Sequence, residues 1–180
     1  MWKQFIILAT FSASLIASPA LATITLERDF EQPITIDADH EFMDLRNNIF
    51  RVEGHVVIGQ GSLVIHAETL VVEGFGKEVG DAERLVAKGS PATYEQEVDI
   101  GVTVTASANT ITYDTASRIL VLSGNAELLQ SGNFLKASKI TYDLEKQTIS
   151  AERGEQSGQR VRTSLQPRDL SEVEADKGNN

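Results

Sequence analysis

The side chains best suited to hold a metal or move a proton at neutral pH are three histidines, His40, His55 and His66. Their spacing matches no common zinc pattern. Alternation puts His55 and His66 on opposite faces of predicted strands, so they read as solvated surface residues. Asp37-Ala38-Asp39-His40-Glu41 gathers enough carboxylate to attract calcium but lacks the remaining spacing of a calcium loop, and reads as a solvated strand end. Asp44 and Asp114 are a poor acid/base pair; they read as turn residues that bond their own backbone. The stretch "GFGKEVG" (Gly74 to Gly80) is half of a phosphate loop with no helix after it, hence a turn. There is no G-x-S-x-G elbow and no cysteine, which excludes a thiol nucleophile and disulfides. These residues predict no catalytic group, no metal and no cofactor: the protein is expected not to be an enzyme.

An apolar face remains, made by Phe50, Val52, Val56, Ile58, Tyr94, Leu120, Leu122 and Leu128. The elements that carry it are β-strands. From Ile34 onward apolar and polar residues alternate with period two, the signature of half-buried strand. Short strands are predicted at Ile34–Ile36, Phe50–Ile58, Leu63–Ile65, Leu70–Val72, Leu85–Ala87, Ala92–Tyr94, Val102–Val104 and Ile111–Tyr113. They continue at Ile119–Leu122, Ala126–Leu129, Phe134–Ala137, Ile140–Tyr142, Thr148–Ala151 and Val161–Leu165. No stretch of this core has a helical period.

The strands repeat. "FRVEGHVVIGQ" (Phe50 to Gln60) and "LVLSGNAELLQ" (Leu120 to Gln130) align without a gap. At the same offset Thr35 meets Thr105, Asp44 meets Asp114, Gly54 meets Gly124, Gln60 meets Gln130 and Ala67 meets Ala137. Gly89 falls midway between Gly54 and Gly124. Such a period suggests wound β-units that bury one another's faces. A glycine inside a strand marks a bulge, a bend or a close backbone approach. Regularly spaced bends favour curling, facing sheets over a flat one.

Charge narrows the partners. Sixteen Lys and Arg against 26 Asp and Glu give a formal net charge of −10, the wrong sign for neutralising phosphates, so no nucleic-acid partner is expected. Lys3, the apolar run from Phe5 to Ile16 and Pro19-Ala20-Leu21-Ala22 make the pattern of a secretory signal peptide cleaved after Ala22. That run is short of the roughly 20 residues needed to span a bilayer. The expected organisation is a signal peptide over residues 1–22, a flexible N-terminal segment over 23–31, one all-β domain over 32–167 and a disordered tail over 168–180.

Several stretches, in order, are similar to a known family: "QPITIDAD", "FRVEGHVVIGQGSLVIHAETLVV", "GSPATYEQ", "ASANTITYD", "LVLSGNAELLQ", "KASKITYD" and "RVRTSLQP". They span about Gln32 to Pro167. The chain resembles the OstA-like, LptA family of periplasmic lipopolysaccharide-transport bridge proteins. The resemblance implies a twisted, partly open β-jelly roll of two facing antiparallel sheets and no enzymatic activity. It also implies lipopolysaccharide as ligand, with the acyl chains of lipid A lying between the sheets. By matching positions, Ile34, Ile36, Tyr94 and Tyr113 face lipid; Phe50, Val52, Leu120 and Leu122 of the repeated apolar face join them. Tyr94 stands where the family commonly has Phe, so its hydroxyl needs a partner or the groove rim. Implied partners are the inner-membrane Lpt transporter complex with its membrane-anchored periplasmic subunit, and the outer-membrane Lpt translocon. The implied location is the periplasm.

An unclosed sheet exposes backbone at both ends that can pair with another chain. Ile34, Thr35 and Ile36 at one end, and Val161, Thr163 and Leu165 at the other, are the expected assembly edges of a head-to-tail homo-oligomer. The competing reading is a structural or assembly β-module of the cell envelope with a dry core. A membrane-tethered relative, or the plug domain of the translocon, fits less well with a signal cleaved at Ala22 and no following barrel.

Overall fold

The computed structural model describes residues 24–74, 84–155 and 159–167. The expected signal peptide and C-terminal tail, and most of "GFGKEVG", lie outside the described residues. A short helix, α1 (Ile24–Phe30), comes first. Two short strands follow, β1 (Thr35–Asp37) and β2 (His40–Asp44). Then come six long ones: β3 (Ile49–Gln60), β4 (Leu63–Glu73), β5 (Arg84–Asp99), β6 (Val102–Asp114), β7 (Ile119–Gln130) and β8 (Asn133–Asp143). Two short strands end the fold, β9 (Thr148–Glu152) and β10 (Arg162–Ser164). All described pairings are antiparallel. The order is β1-β3-β4-β5-β6-β7-β8-β10, with β2 also on β3 and β9 also on β8, so the sheet does not close.

The two facing layers expected from the sequence are two halves of this one continuous sheet. Each long strand bends near its middle and contributes to both. In the first layer Val52, Leu70, Ala87, Ile111, Leu122 and Ile140 form one inward row. In the second layer the inward row runs through Ile36, Ile58, Ile65, Tyr94, Ala106, Leu128 and Leu135. Both rows belong to a single apolar core. Several short strands read from the sequence are therefore halves of longer ones: Leu63–Ile65 and Leu70–Val72 both lie in β4, for example.

The repeated glycines make the bend. The register slips between Glu53 and Val56, between Lys88 and Ala92, and between Ser123 and Ala126, at Gly54, Gly89 and Gly124 respectively. An extra residue on one strand kinks it and increases its twist. Gly54 and Gly124 have φ of +82° and +78°, and the residues after them, His55 and Asn125, are also left-handed at 45° and 51°. Only glycine adopts that conformation without a Cβ penalty. Space excludes a side chain as well, because a Cβ on Gly54 would lie 2.4 Å from the Asp39 carboxylate. Small residues line the inner side of the crease, where Ala92, Ala108 and Ala126 are fully buried.

Three turns share one device. Asp44 Oδ1 accepts the Arg46 and Asn47 N–H groups at 3.0 and 3.1 Å. Asp114 Oδ1 accepts the Ser117 N–H at 2.8 Å, and Asp143 Oδ1 accepts the Lys146 N–H at 2.9 Å. The fourth residue after each aspartate, Asn48, Arg118 or Gln147, is left-handed. The two repeat-related aspartates are thus turn residues, as their spacing predicts. Bonds to the ionised form hold all three carboxyls below the usual carboxylate range: for Asp44 chiefly from the Asn47 side chain, for Asp114 from the Ser117 backbone, for Asp143 from the Lys146 side chain.

The segment expected to be flexible, residues 23–31, is instead largely helix α1. A helix this short is marginal alone and takes its stability from docking. Leu26 is buried in the core, and Asp29 is only 4% exposed. The Asp29 carboxylate accepts bonds from Ser62 Oγ and, at 3.1 Å, from Gln96 Nε2. Gln60 Nε2 donates to the Phe30 and Gln32 carbonyls at 3.3 and 3.1 Å, satisfying groups at the helix end. The Arg118 guanidinium lies over the Phe30 ring, 4.4 Å from its centroid.

A candidate lipid groove between the layers

The two layers diverge from the crease, so their turns face each other across the opposite side. Near β3 to β6 that side is closed by α1 and by side-chain bonds. The Tyr113 hydroxyl in the first layer donates to Gln60 Oε1 in the second at 3.3 Å. The Tyr94 hydroxyl donates to Gln96 Oε1 at 2.5 Å, which supplies the partner its burial requires. Gln96 in turn donates to Asp29, so Asp29, Gln96 and Tyr94 form one buried polar chain.

All eight residues expected to face lipid belong to the inner face. Phe50, Val52, Tyr94, Tyr113, Leu120 and Leu122 are buried in the core, while Ile34 and Ile36 pack against it half-exposed at the β1 edge. Phe50, Tyr113 and Leu120 share a row of the first layer through the β4 and β5 residues Val72 and Leu85. Val52 and Leu122 share the next row, and Ile36 and Tyr94 share a row of the second layer. Burial pushes the Tyr94 phenol well above its ordinary value, pushes Tyr113 up to about 12 and also raises Tyr142. The cause is geometric: all three rings are buried in the core.

The interior opens toward β8 to β10. There a cavity of about 350 Å³ lies between the layers. Leu128 and Leu135 of the second layer line one side, Ile149 and Ala151 of the first layer the other, and Val161 and Leu165 the rim. That is a volume within the usual range for ligand pockets, with mostly apolar walls. Gln130, the repeat partner of Gln60, also lines it. At the Gln60 position of the fold the space is taken by α1; at the Gln130 position it is a cavity. Sequence reasoning did not assign Leu135, Ile149 or Ala151 to the site, although Leu135 is the repeat equivalent of Ile65. Nor did it find the Asp29–Gln96 bond, whose partners lie far apart in the chain.

Among the described residues both sheet ends are open edges: β1 pairs only with β3, and β10 only with β8. Large apolar side chains are exposed near both: Phe42, Met43, Leu45 and Ile49 at one end, Ile149, Val161 and Leu165 at the other. Among the described residues no group of His, Cys, Asp or Glu could hold a metal ion. His40 and His66 are exposed strand residues; His55 pairs with Asp39 at 2.7 Å. No helix among the described residues is long and apolar enough to cross a membrane.

Known proteins resemble this chain in sequence and in fold. Residues 35–148 match the family model described as "LptA/(LptD N-terminal domain) LPS transport protein". The chain is 35% identical to lipopolysaccharide export system protein LptA of Haemophilus influenzae, over 91% of this chain and 93% of that protein. It is 34% identical to LptA of Escherichia coli strain K12, over 89% and 85%. It is 35% identical to lipopolysaccharide export system protein LptH of Pseudomonas aeruginosa, over 87% and 86%. The crystal structure of LptH, described as the LptA homologous periplasmic component of the lipopolysaccharide transport device of that organism, superposes with a TM-score of 0.70. It is 29% identical and covers 78% of this chain and 99% of that one. On sequence, on an unclosed antiparallel sheet folded into two layers and on this structural match, the chain belongs to the LptA/LptD N-terminal domain family of lipopolysaccharide transport proteins.

Proposed function

We propose that this chain is a non-enzymatic lipopolysaccharide export protein that carries the lipid's acyl chains between its two layers, across the periplasm. The observation that carries this reading is an apolar interior that runs the width of the sheet and opens as a cavity at its β8–β10 end. Burying one methylene is worth about 0.8 kcal/mol, so exposing a chain of roughly a dozen carbons to water costs on the order of 10 kcal/mol. An apolar lining repeated from strand to strand gives the chain nearly equivalent surroundings as it moves. Deeper entry parts the layers at the turn side, where the Tyr113–Gln60 bond spans them, while the crease acts as the hinge. Ile34, Ile36, Phe50, Val52, Tyr94, Tyr113, Leu120 and Leu122 are the proposed lipid contacts. The protein supplies a path and no energy; the driving force comes from its inner-membrane partner.

The same reading assigns the open edges to assembly. Copies join head to tail through Ile34, Thr35 and Ile36 of one and Val161, Thr163 and Leu165 of the next. The terminal copies meet the membrane-anchored subunit of the inner-membrane Lpt transporter complex and the outer-membrane Lpt translocon. Such a contact does not close on itself and extends into a filament. The test of the lipid site is Leu135→Asp, which puts a charge at the cavity wall. Lipopolysaccharide binding should fall at least tenfold while the circular dichroism stays that of the folded chain, with Arg51→Asp on the outer face as control. Equal binding by both variants would remove the groove from the account.

A further inference from the structure

The register of the folded sheet says which side chains meet if one copy adds to the next. Strands β3 to β8 alternate in direction, β1 opposes β3, and β10 opposes β8. β1 and β10 therefore run in opposite directions, and β10 of one copy beside β1 of the next continues the antiparallel pattern. The inward row of the second layer begins at Ile36 and ends at Thr163. The outward row beside it begins at Asp37, passes through Val57, His66, Glu127 and Lys136, and ends at Arg162. Asp37 and Arg162 are both exposed, and neither has an ion-pair partner among the described residues. The two ends of one row thus carry opposite charges. By contrast Lys136, next to Arg162 in that row, is already paired with Glu127.

We infer that an Asp37–Arg162 pair across the joint sets the register in which one copy of this chain docks on the next. This rests on the head-to-tail reading above. Continuing both rows places Thr163 opposite Ile36, Leu165 opposite Ile34 and Arg162 opposite Asp37. The same offset brings Arg160 to Asp39 at the crease. In the first layer the row that begins at Met43 ends at Ile149, so two apolar side chains exposed in the single chain, at 42% and 37%, cover each other. Slipping by one residue would turn the charges inward and the apolar side chains outward, because side chains alternate along a strand. A second copy is the occupant because direction, apolar rows and charges all match between the chain's own two ends.

The test is a charge exchange. Asp37→Arg and Arg162→Asp each place like charges opposite one another at every joint. Each should weaken self-association, measured by sedimentation across a concentration series, on the order of tenfold. The double variant, with the charges exchanged, should return to within about threefold of the parent by the same pairing logic. Singles that associate like the parent, or a double no better than the singles, would overturn the register. The chain has no cysteine, so a mixture of Ile36→Cys and Thr163→Cys chains reports on the joint separately. A disulfide-linked dimer with no charge dependence keeps the head-to-tail reading and removes the ion pair's role. Neither linkage nor association overturns both.

Discussion

Substituting alanine at Gly54 tests whether the repeated glycines are the crease. Gly101 is the matched control. Both have left-handed φ, +82° and +71°, so both variants carry the strain of a Cβ in that region, about 1–2 kcal/mol. A smaller unfolded-state entropy returns about 0.4–1 kcal/mol in each case. The sites differ in space. A Cβ on Gly101 has nothing within 4 Å, whereas on Gly54 it lies 2.4 Å from Asp39 Oδ2 and 2.9 Å from Asp39 Cβ. Asp39 cannot swing away freely, because its N–H donates to the Gly54 carbonyl at 2.9 Å and its carboxylate holds His55 at 2.7 Å. Displacing it loses the backbone bond, worth about 0.5–1.5 kcal/mol, and an exposed pair worth less than about 1 kcal/mol. Gly101→Ala should then cost about 1 kcal/mol and Gly54→Ala about 2–3 kcal/mol. At about 2–4 °C per kcal/mol for a chain of this size, thermal unfolding followed by circular dichroism should put Gly54→Ala several degrees below Gly101→Ala. Equal melting temperatures would refute the argument that close approach at the crease, and not φ alone, selects glycine.

Other outcomes follow from the buried polar groups. All three tyrosines of the chain are buried, and all three phenols are raised by burial, Tyr113 to about 12. The neutral form is favoured in the folded state, so this contribution to stability is complete below about pH 10 and is lost as pH rises toward about 12. Tyrosinate absorbance should be nearly absent from the folded chain at about pH 10 and appear in urea; half-ionisation at that pH in the folded chain would contradict the buried rings. Asp29→Ala removes the acceptor of Gln96 and Ser62 and should cost about 2–4 kcal/mol. It should also expose the chain around Phe30 to protease under conditions that leave the sheet intact. Equal protease resistance in parent and variant would mean that α1 is held by Leu26 alone.

Much of this was legible in the sequence. Period-two alternation marked the strands, and the inner face named by Phe50, Val52, Leu120 and Leu122 is the inner face of the fold. Gly54 and Gly124 marked the bends because a left-handed φ leaves a residue-type signature. What alternation could not give was continuity: at a bulge the period slips, so one bent strand reads as two short ones. β2 escaped because His40 to Asp44 are exposed or nearly so on both faces and show no apolar stripe. Helix α1 escaped because seven residues hold too few turns for a period, and its stability comes from Ser62, Gln60 and Gln96, which are distant in the chain. The cavity escaped because it depends on where the helix is absent.

Lipid should touch the face between the layers. The direct measurement is a photo-crosslinking residue placed at Tyr113, on that face, and at Arg51, on the outer face of the same layer, in cells exporting lipopolysaccharide. A lipopolysaccharide adduct is expected at Tyr113 and none at Arg51. No adduct at Tyr113 in a folded, exported chain, or equal adducts at both positions, would contradict it.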